Sequence, residues 1–242
     1  AGTQLYVASH EILTLAYEVF GDQTQSSFPV KAKLRRYSGT ALPLVVDSQQ
    51  SKIGEMRAVG SRLFYQWKRF TTPPSVTGTY LNAGVSIEGL SSASSTAPAS
   101  VIGLPAGESF KGFRASDGIR AYFLMRPPGF GTNRLYSSDG GPAVYLKDTG
   151  LEGAGPEEVS FATLSGSVIF PVLNGDLWEM WRTSGTACST GYHSPLAGGA
   201  YAAVGGVLYY VHDDGIHGSD PWRTDGTGPG TQLIFDSIPG SI

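Results

Sequence analysis

An all-β chain folded as a five-bladed β-propeller is what this sequence predicts, on three observations. An aromatic residue four positions ahead of a turn glycine recurs as Tyr80 and Gly84, Tyr136 and Gly140, Trp181 and Gly185, and Trp222 and Gly226. A first copy, RRYSG, places Arg35 at the aromatic position and Gly39 at the glycine. Successive glycines lie 45, 56, 45 and 41 residues apart, the length of a four-stranded blade. Each of these turns follows an apolar-aromatic run: LTLAYEVF from Leu13, RLFYQW from Arg62, RAYFLM from Arg120, SVIFPVL from Ser167 and VLYYV from Val207. Finally, no stretch sustains apolar residues at helical spacing, while 33 Gly and 15 Pro supply the turns that about 20 strands need.

Each unit divides into four short antiparallel strands. Blade one, 1–52, contributes QLYVA, LTLAYEVF, AKLRRYS and LPLVVD, and blade two, 53–105, EMRAV, RLFYQW, GTYLN and SVIGL. Blade three, 106–155, contributes SFKGF, RAYFLM, NRLYS and AVYLKD, and blade four, 156–197, EVSFATL, SVIFPVL, LWEMWRT and TGYHS. Blade five, 198–242, contributes AYAAV, VLYYV, DPWRT and TQLIFD. Gly, Ser, Asp and Pro separate the runs, which is hairpin punctuation. A unit of this size cannot bury its own apolar face, so the copies must stack. The expected ring is one domain, 1–242, closed by packing of blade five on blade one with no strand exchanged.

Composition narrows the function. The 40% hydrophobic content is enough for packed layers, so disorder is not expected. A net charge of −3 without a basic stripe gives no footprint for nucleic acid. No apolar run approaches the roughly 20 residues of a membrane span, and no signal peptide is expected. Cys188 is the one cysteine, which excludes an internal disulfide and a Cys-rich zinc site. Few Lys, many Gly and Ser, and a near-absence of Cys lean towards an extracytoplasmic setting.

The segment DDGIHGSDPWRTDGTGPGTQLIFDSIPG, Asp213–Gly240, resembles the repeat of large secreted or envelope bacterial proteins, approximately ADDGxHGxELWxSDGTxxGTxLVKDIxPG. The matching residues are Asp213-Asp214-Gly215, His217-Gly218, Trp222, Asp225-Gly226-Thr227, Gly230-Thr231, Asp236 and Pro239-Gly240. Fragments persist upstream as YSGT from Tyr37, SSDG from Ser137, LKD from Leu146 and WRTSGT from Trp181. The resemblance implies a propeller-like repeat and an envelope or extracellular place, and no activity. Chain length and blade count are also similar to tachylectin-type five-bladed lectins, without a lectin motif matched residue by residue.

Function is expected where a constant frame carries variable loops. The connections between second and third strands differ most: GDQTQSSFPVK, KRFTTPPSVT, RPPGFGT, NGD and HDDGIHGSD in blades one to five. The side chains expected to bind a ligand or partner are Phe28, Trp67, Arg69, Phe70, Arg126, Phe130, His212, Asp213, His217 and Asp220, because aromatics and Arg carry most contact energy. The Ser/Ala-rich 91–100 reads as a flexible insert on the opposite face. The recurring aromatics, Trp181 and Trp222 among them, read as packing between blades. His212, Asp213, Asp214, His217 and Asp220 are close in sequence but lack zinc or EF-hand spacing, so no metal and no cofactor are expected. Glu158 is the one acidic first-strand candidate near a channel, beside Arg57 and Lys111, and a glycosidase needs a carboxylate pair. No Gly-x-Ser-x-Gly elbow occurs. The expectation is a non-enzymatic interaction or scaffold module with a protein partner in an envelope or surface assembly. A lectin-like glycan binder is the alternative, and a five-bladed glycoside hydrolase the second alternative.

Overall fold

The computed structural model describes residues 4–19, 22–38, 44–47, 52–77, 79–94, 99–129, 131–151, 161–196 and 201–237. These residues are all-β, with no α-helix among them and every sheet antiparallel. The chain forms two compact units, Ala1–Leu104 and Pro105–Ile242.

In the first unit, β1 (Gln4–Val19), β2 (Asp22–Ser38) and β3 (Leu44–Asp47) make a three-stranded sheet. Four strands were expected here. QLYVA and LTLAYEVF instead run on as one long strand, because β2 offers an unbroken partner from Asp22 to Ser38. Pro29 lies at the one register shift in that hairpin, opposite Ile12, a place where a strand tolerates the missing N–H. The second sheet begins with β4 (Lys52–Val59) and β5 (Arg62–Thr72). Pro73-Pro74 then breaks the strand, a side hairpin of β6 (Ser75–Thr77) and β7 (Tyr80–Asn82) follows, and β8 (Val85–Ser94) and β9 (Ser100–Ile102) complete the sheet in the order β4-β5-β8-β9. GTYLN is therefore not the third strand. Tyr65 faces Ser91 in the ladder, so Ser91 holds the register that an aromatic holds elsewhere, while Tyr80 is 80% exposed on the side hairpin. Ser91 and Ser92 are buried in β8, which corrects the reading of 91–100 as a flexible insert. Residues 95–98 lie outside the described ones.

The second unit holds three four-stranded sheets in simple meander order. Sheet three is β10 (Ser109–Ser116), β11 (Ala121–Arg126), β12 (Arg134–Ser138) and β13 (Val144–Asp148). Sheet four is β14 (Ala162–Leu164), β15 (Ser167–Asn174), β16 (Leu177–Thr183) and β17 (Gly191–Pro195). Sheet five is β18 (Tyr201–Val204), β19 (Val207–Asp213), β20 (Ser219–Thr224) and β21 (Gln232–Leu233). All three have the expected four strands.

The repeat residues of the resemblance build the hairpin after each third strand. The Thr224 hydroxyl accepts the Gly226 N–H at 3.0 Å and pairs with the Thr231 hydroxyl at 2.7 Å; Thr183, Gly185 and Thr190 repeat both contacts at 3.0 and 2.7 Å. Asp225 accepts from the N–H and hydroxyl of Thr227 at 2.8 and 2.7 Å. Gly185 and Gly226 both have φ of +88°, which a side-chain-bearing residue rarely adopts. The SDGT pattern is thus a self-bonded turn.

Neighbouring sheets within a unit pack through apolar layers. Tyr122, Leu124, Leu135 and Leu146 of sheet three meet Val168, Phe170 and Val172 of sheet four, with Trp181 half-buried against them. Ala162, Leu164, Ile169 and Met180 of sheet four meet Leu208 and Tyr210 of sheet five, with Trp222 half-buried against them. Ala32 and Leu34 of sheet one meet Ile53, Leu63, Tyr65 and Trp67 of sheet two. Sheet three is also pinned to sheet four by backbone, since the Leu173 N–H donates to the Thr149 carbonyl at 2.8 Å. Beside that bond Gly150 has φ of +71°, and a Cβ there would overlap the Leu173 carbonyl oxygen. Gly150→Ala is expected to cost about 3 kcal/mol or more, since neither backbone can yield; a thermal melt of the variant within error of the parent would contradict it.

Candidate functional site

Two adjoining cavities open at the end of the second unit where second strands turn into third strands. One, of about 440 Å³, lies between sheets three and four and is lined by Lys147, Asp148, Asn174, Glu179, Trp181 and Tyr192 among others. The second, of about 350 Å³, lies between sheets four and five and is lined by Asp176, Leu177, Trp178, Glu179, Tyr192, Leu196 and Asp213 among others. Glu179 and Tyr192 belong to both, so they form the shared wall.

Local sequence explains the placement. The two-residue turn Gly175-Asp176, with Gly175 at φ of +61°, folds β16 back so that Asn174 pairs with Leu177 and Val172 with Glu179. Alternation then puts Glu179 and Trp181 on the face towards sheet three, and Trp178 and Met180 on the face towards sheet five. The Trp181 indole N–H donates to one Glu179 oxygen at 2.7 Å, and the Asn174 amide donates to the other at 3.1 Å. The Lys147 ammonium lies 4.1 Å from the centre of the Trp181 ring, a cation–π contact. The Tyr192 ring meets Trp181 edge-on at 6.5 Å and is 55% exposed, with Leu177 71% exposed nearby.

These contacts set the charge state. The indole and amide donors, with a smaller contribution from Lys147, hold the Glu179 carboxyl below the usual carboxylate range. Burial, then the Glu179 charge, pushes the Tyr192 hydroxyl up. Asp148 is bound by the Arg134 guanidinium at 3.1 Å, whose other arm reaches Glu108 at 2.6 Å. The arrangement presents fixed negative charge beside an open aromatic ring, a shape suited to binding.

The residues expected from sequence fall elsewhere. Phe28 lies in β2 opposite Leu13, and Arg69 and Phe70 lie in β5 opposite Ile87 and Ser86; all three were expected in loops that the structure forms as strand. Trp67 is 8% exposed and belongs to the core between sheets one and two, because its register in β5 matches that of Tyr65 and Leu63. Arg126 ends β11 and donates to the Gly131 carbonyl at 3.1 Å, holding its own loop. Phe130 lies outside the described residues, as does Glu158. His212 and Asp220 are cross-strand partners. Asp220 is fully buried and accepts from the Ser237 N–H and hydroxyl at 3.0 and 2.5 Å. The His212 ring meets Trp222 at 5.2 Å. Asp214 folds the loop onto itself, accepting from the Ile216 and His217 N–H groups at 2.9 and 2.8 Å and bonding the His217 ring at 2.7 Å. Of the nine described side chains among these, Asp213 alone lines either cavity, the one between sheets four and five. Sequence reading missed Lys147, Asn174, Glu179 and Tyr192. The available signal was the aromatic register at Trp181, which also carries packing.

The chain matches no protein-family model and no curated protein. Among solved structures it is similar to one titled "Crystal structure of Nidogen/Laminin Complex", at 14% identity and a TM-score of 0.36 over 82% of this chain and 72% of that one. A likeness this loose carries no argument about function. Among the described residues no helix is long and apolar enough to cross a membrane.

Two titrations check the electrostatics. The depressed Glu179 pKa contributes stability above the unfolded carboxylate pKa, lost as pH falls through the folded value. Trp181→Phe removes the shorter of the two donor bonds, so the Glu179 pKa is expected to rise towards the ordinary range in a carboxyl NMR titration; an unchanged value would refute the assignment. His217 is raised chiefly by its bond to Asp214, so its contribution is full below the unfolded pKa and lost as pH rises through the folded one. In Asp214→Asn the His217 pKa is expected to fall, and NMR of the imidazole protons reads it directly.

Proposed function

We propose that the chain is a five-bladed β-propeller, closed by packing without strand exchange, that serves as a non-catalytic interaction module for a protein partner in a bacterial extracytoplasmic assembly. The stacked sheets within each unit support the blade reading, and sheet five taking all its described strands from one continuous segment supports closure without exchange. The extracytoplasmic setting rests on the Asp213–Gly240 resemblance and on the low Lys and Cys content. The observation that carries the binding role is the pair of cavities sharing the Tyr192–Glu179 wall. They lie at the loop end expected to bind, though on sheet four, whose short NGD turn leaves the cleft open.

A glycan-binding role is the second reading, favoured by the exposed Tyr192 ring beside the Glu179 carboxylate and Asn174 amide.

The test is affinity capture from native envelope extracts alongside a glycan array, using the parent chain and Tyr192→Ala. Tyr192 is exposed, so the variant is expected to keep its stability within about 1 kcal/mol and to lose the captured partner. Capture that survives the substitution would show that the partner binds elsewhere. Selective array signals abolished by Tyr192→Ala would replace the protein-partner reading with the lectin reading.

A further inference from the structure

The occupant of the cleft can be read from its charge and ring geometry, if the interaction reading above holds. Among the described residues lining the two cavities, the carboxylates of Asp148, Asp176, Glu179 and Asp213 face a single cation, Lys147. That cation is already used: it lies over the Trp181 ring, 4.1 Å from its centre. Asp148 is likewise used, by Arg134. Among the described residues, the cavity between sheets four and five has no lining cation, with Asp176, Glu179 and Asp213 set around Trp178 and Tyr192. Glu179 is fixed by two donors and stays ionised. Asp213 is oriented by the Gly215 N–H at 2.9 Å.

We infer that this second cavity receives an arginine side chain of the partner protein. Its guanidinium would stack on the exposed face of Tyr192 and meet the Asp176 and Asp213 carboxylates, while its methylene stem covers Leu177 and Trp178. A planar, permanently charged fork satisfies a flat ring and paired carboxylates together, which a compact ammonium does less well. Lys147 on Trp181 shows the same pairing of cation, ring and nearby Glu179 within the chain itself. An anionic ligand is disfavoured because no uncommitted cation stands among the described lining residues. A neutral sugar would leave the surplus negative charge unanswered.

The full chain is titrated with acetyl-Gly-Arg-Gly-amide, read by indole NMR shifts and fluorescence of the cleft tryptophans, with the citrulline peptide and the methyl glycosides of glucose and galactose as comparison probes. The arginine peptide is expected to saturate at about 1 mM, as suits one stacked, charge-assisted contact. Citrulline keeps shape and hydrogen bonding but lacks charge, so it is expected to bind at least about tenfold more weakly. Asp176→Asn with Asp213→Asn keeps the acceptor to Gly215 and the fold, and is expected to weaken the arginine peptide about tenfold. Asp139→Asn, on a remote hairpin, serves as the control and is expected to change nothing. Equal binding of citrulline, or unchanged binding in the double variant, overturns the inference. Saturable glycoside binding without arginine binding also overturns it, yet leaves the cleft as an interaction site. Silence from every probe, with partner capture unaffected by Tyr192→Ala, removes both the inference and the interaction reading it rests on.

Discussion

Within each unit, the structure depends on how one sheet holds the turn of the next. The hairpin after a third strand exposes carbonyl groups that its own strands cannot satisfy, and the preceding sheet supplies the donor. Arg36 of sheet one donates to the Ser94 carbonyl of sheet two at 2.8 Å. Ser137 of sheet three donates to the Gly185 carbonyl at 2.7 Å, with Arg120 reaching the Ser184 carbonyl at 3.3 Å. Arg182 of sheet four donates to the Gly226 carbonyl of sheet five at 2.9 Å. Arg36, Ser137 and Arg182 each follow the repeat's aromatic position by one residue, so register places them alike. A buried backbone acceptor left unmet costs on the order of 1–3 kcal/mol. Each tie therefore fixes the spacing of two sheets as well as adding its own bond.

Fixed spacing at one end of the sheets allows an opening at the other. The apolar layer between sheets three and four is closed from Tyr122 to Val172, and the Thr149–Leu173 backbone bond clamps its far end. Beyond that clamp the side chains become polar, and the cleft begins. Trp181 spans the boundary. Its inner part packs on the core, while its N–H anchors Glu179 and its ring receives Lys147. A residue chosen for packing thus also orients the charge of the site. The rigidity that binding needs comes from the core without a separate supporting shell.

Much of the fold was legible because its determinants are local. Alternating apolar runs, turn glycines and the SDGT hairpin act within about ten residues, and sheets three, four and five follow them. The failures came where pairing is set from afar. Leu5 to Val19 contains two apolar runs that look like separate strands, and only the length of β2 joins them. In sheet two, Pro73-Pro74 diverts the chain into β6 and β7, so Tyr80 imitates the aromatic position by spacing while Ser91 occupies it by pairing. The cleft was illegible for a related reason. Lys147, Glu179 and Tyr192 come from β13, β16 and β17, and nothing local in any of them announces a neighbour. Loop length also misled. The longest second-to-third connections resolved into strands, as at Phe28, or bonded to themselves, as at Asp214, whereas the short NGD turn left room beside it.

One register position separates a repeated site from a single one. Two residues before the aromatic, the chain has Arg134, Glu179 and Asp220 in sheets three, four and five, opposite Met125, Val172 and His212. Arg134 is consumed by Glu108 and Asp148. Asp220 is fully buried and held by Ser237. Glu179 is the one of the three that borders open cavities, next to the exposed Tyr192. Multivalent recognition of a repeating ligand requires equal chemistry at equal registers, and here the same backbone position carries a cation, an open carboxylate and a closed one. The frame repeats while the side chains that could face a ligand do not. Such divergence on a shared scaffold is what the proposed single contact surface at the sheet-four cleft requires, and it runs against a set of equivalent ligand sites.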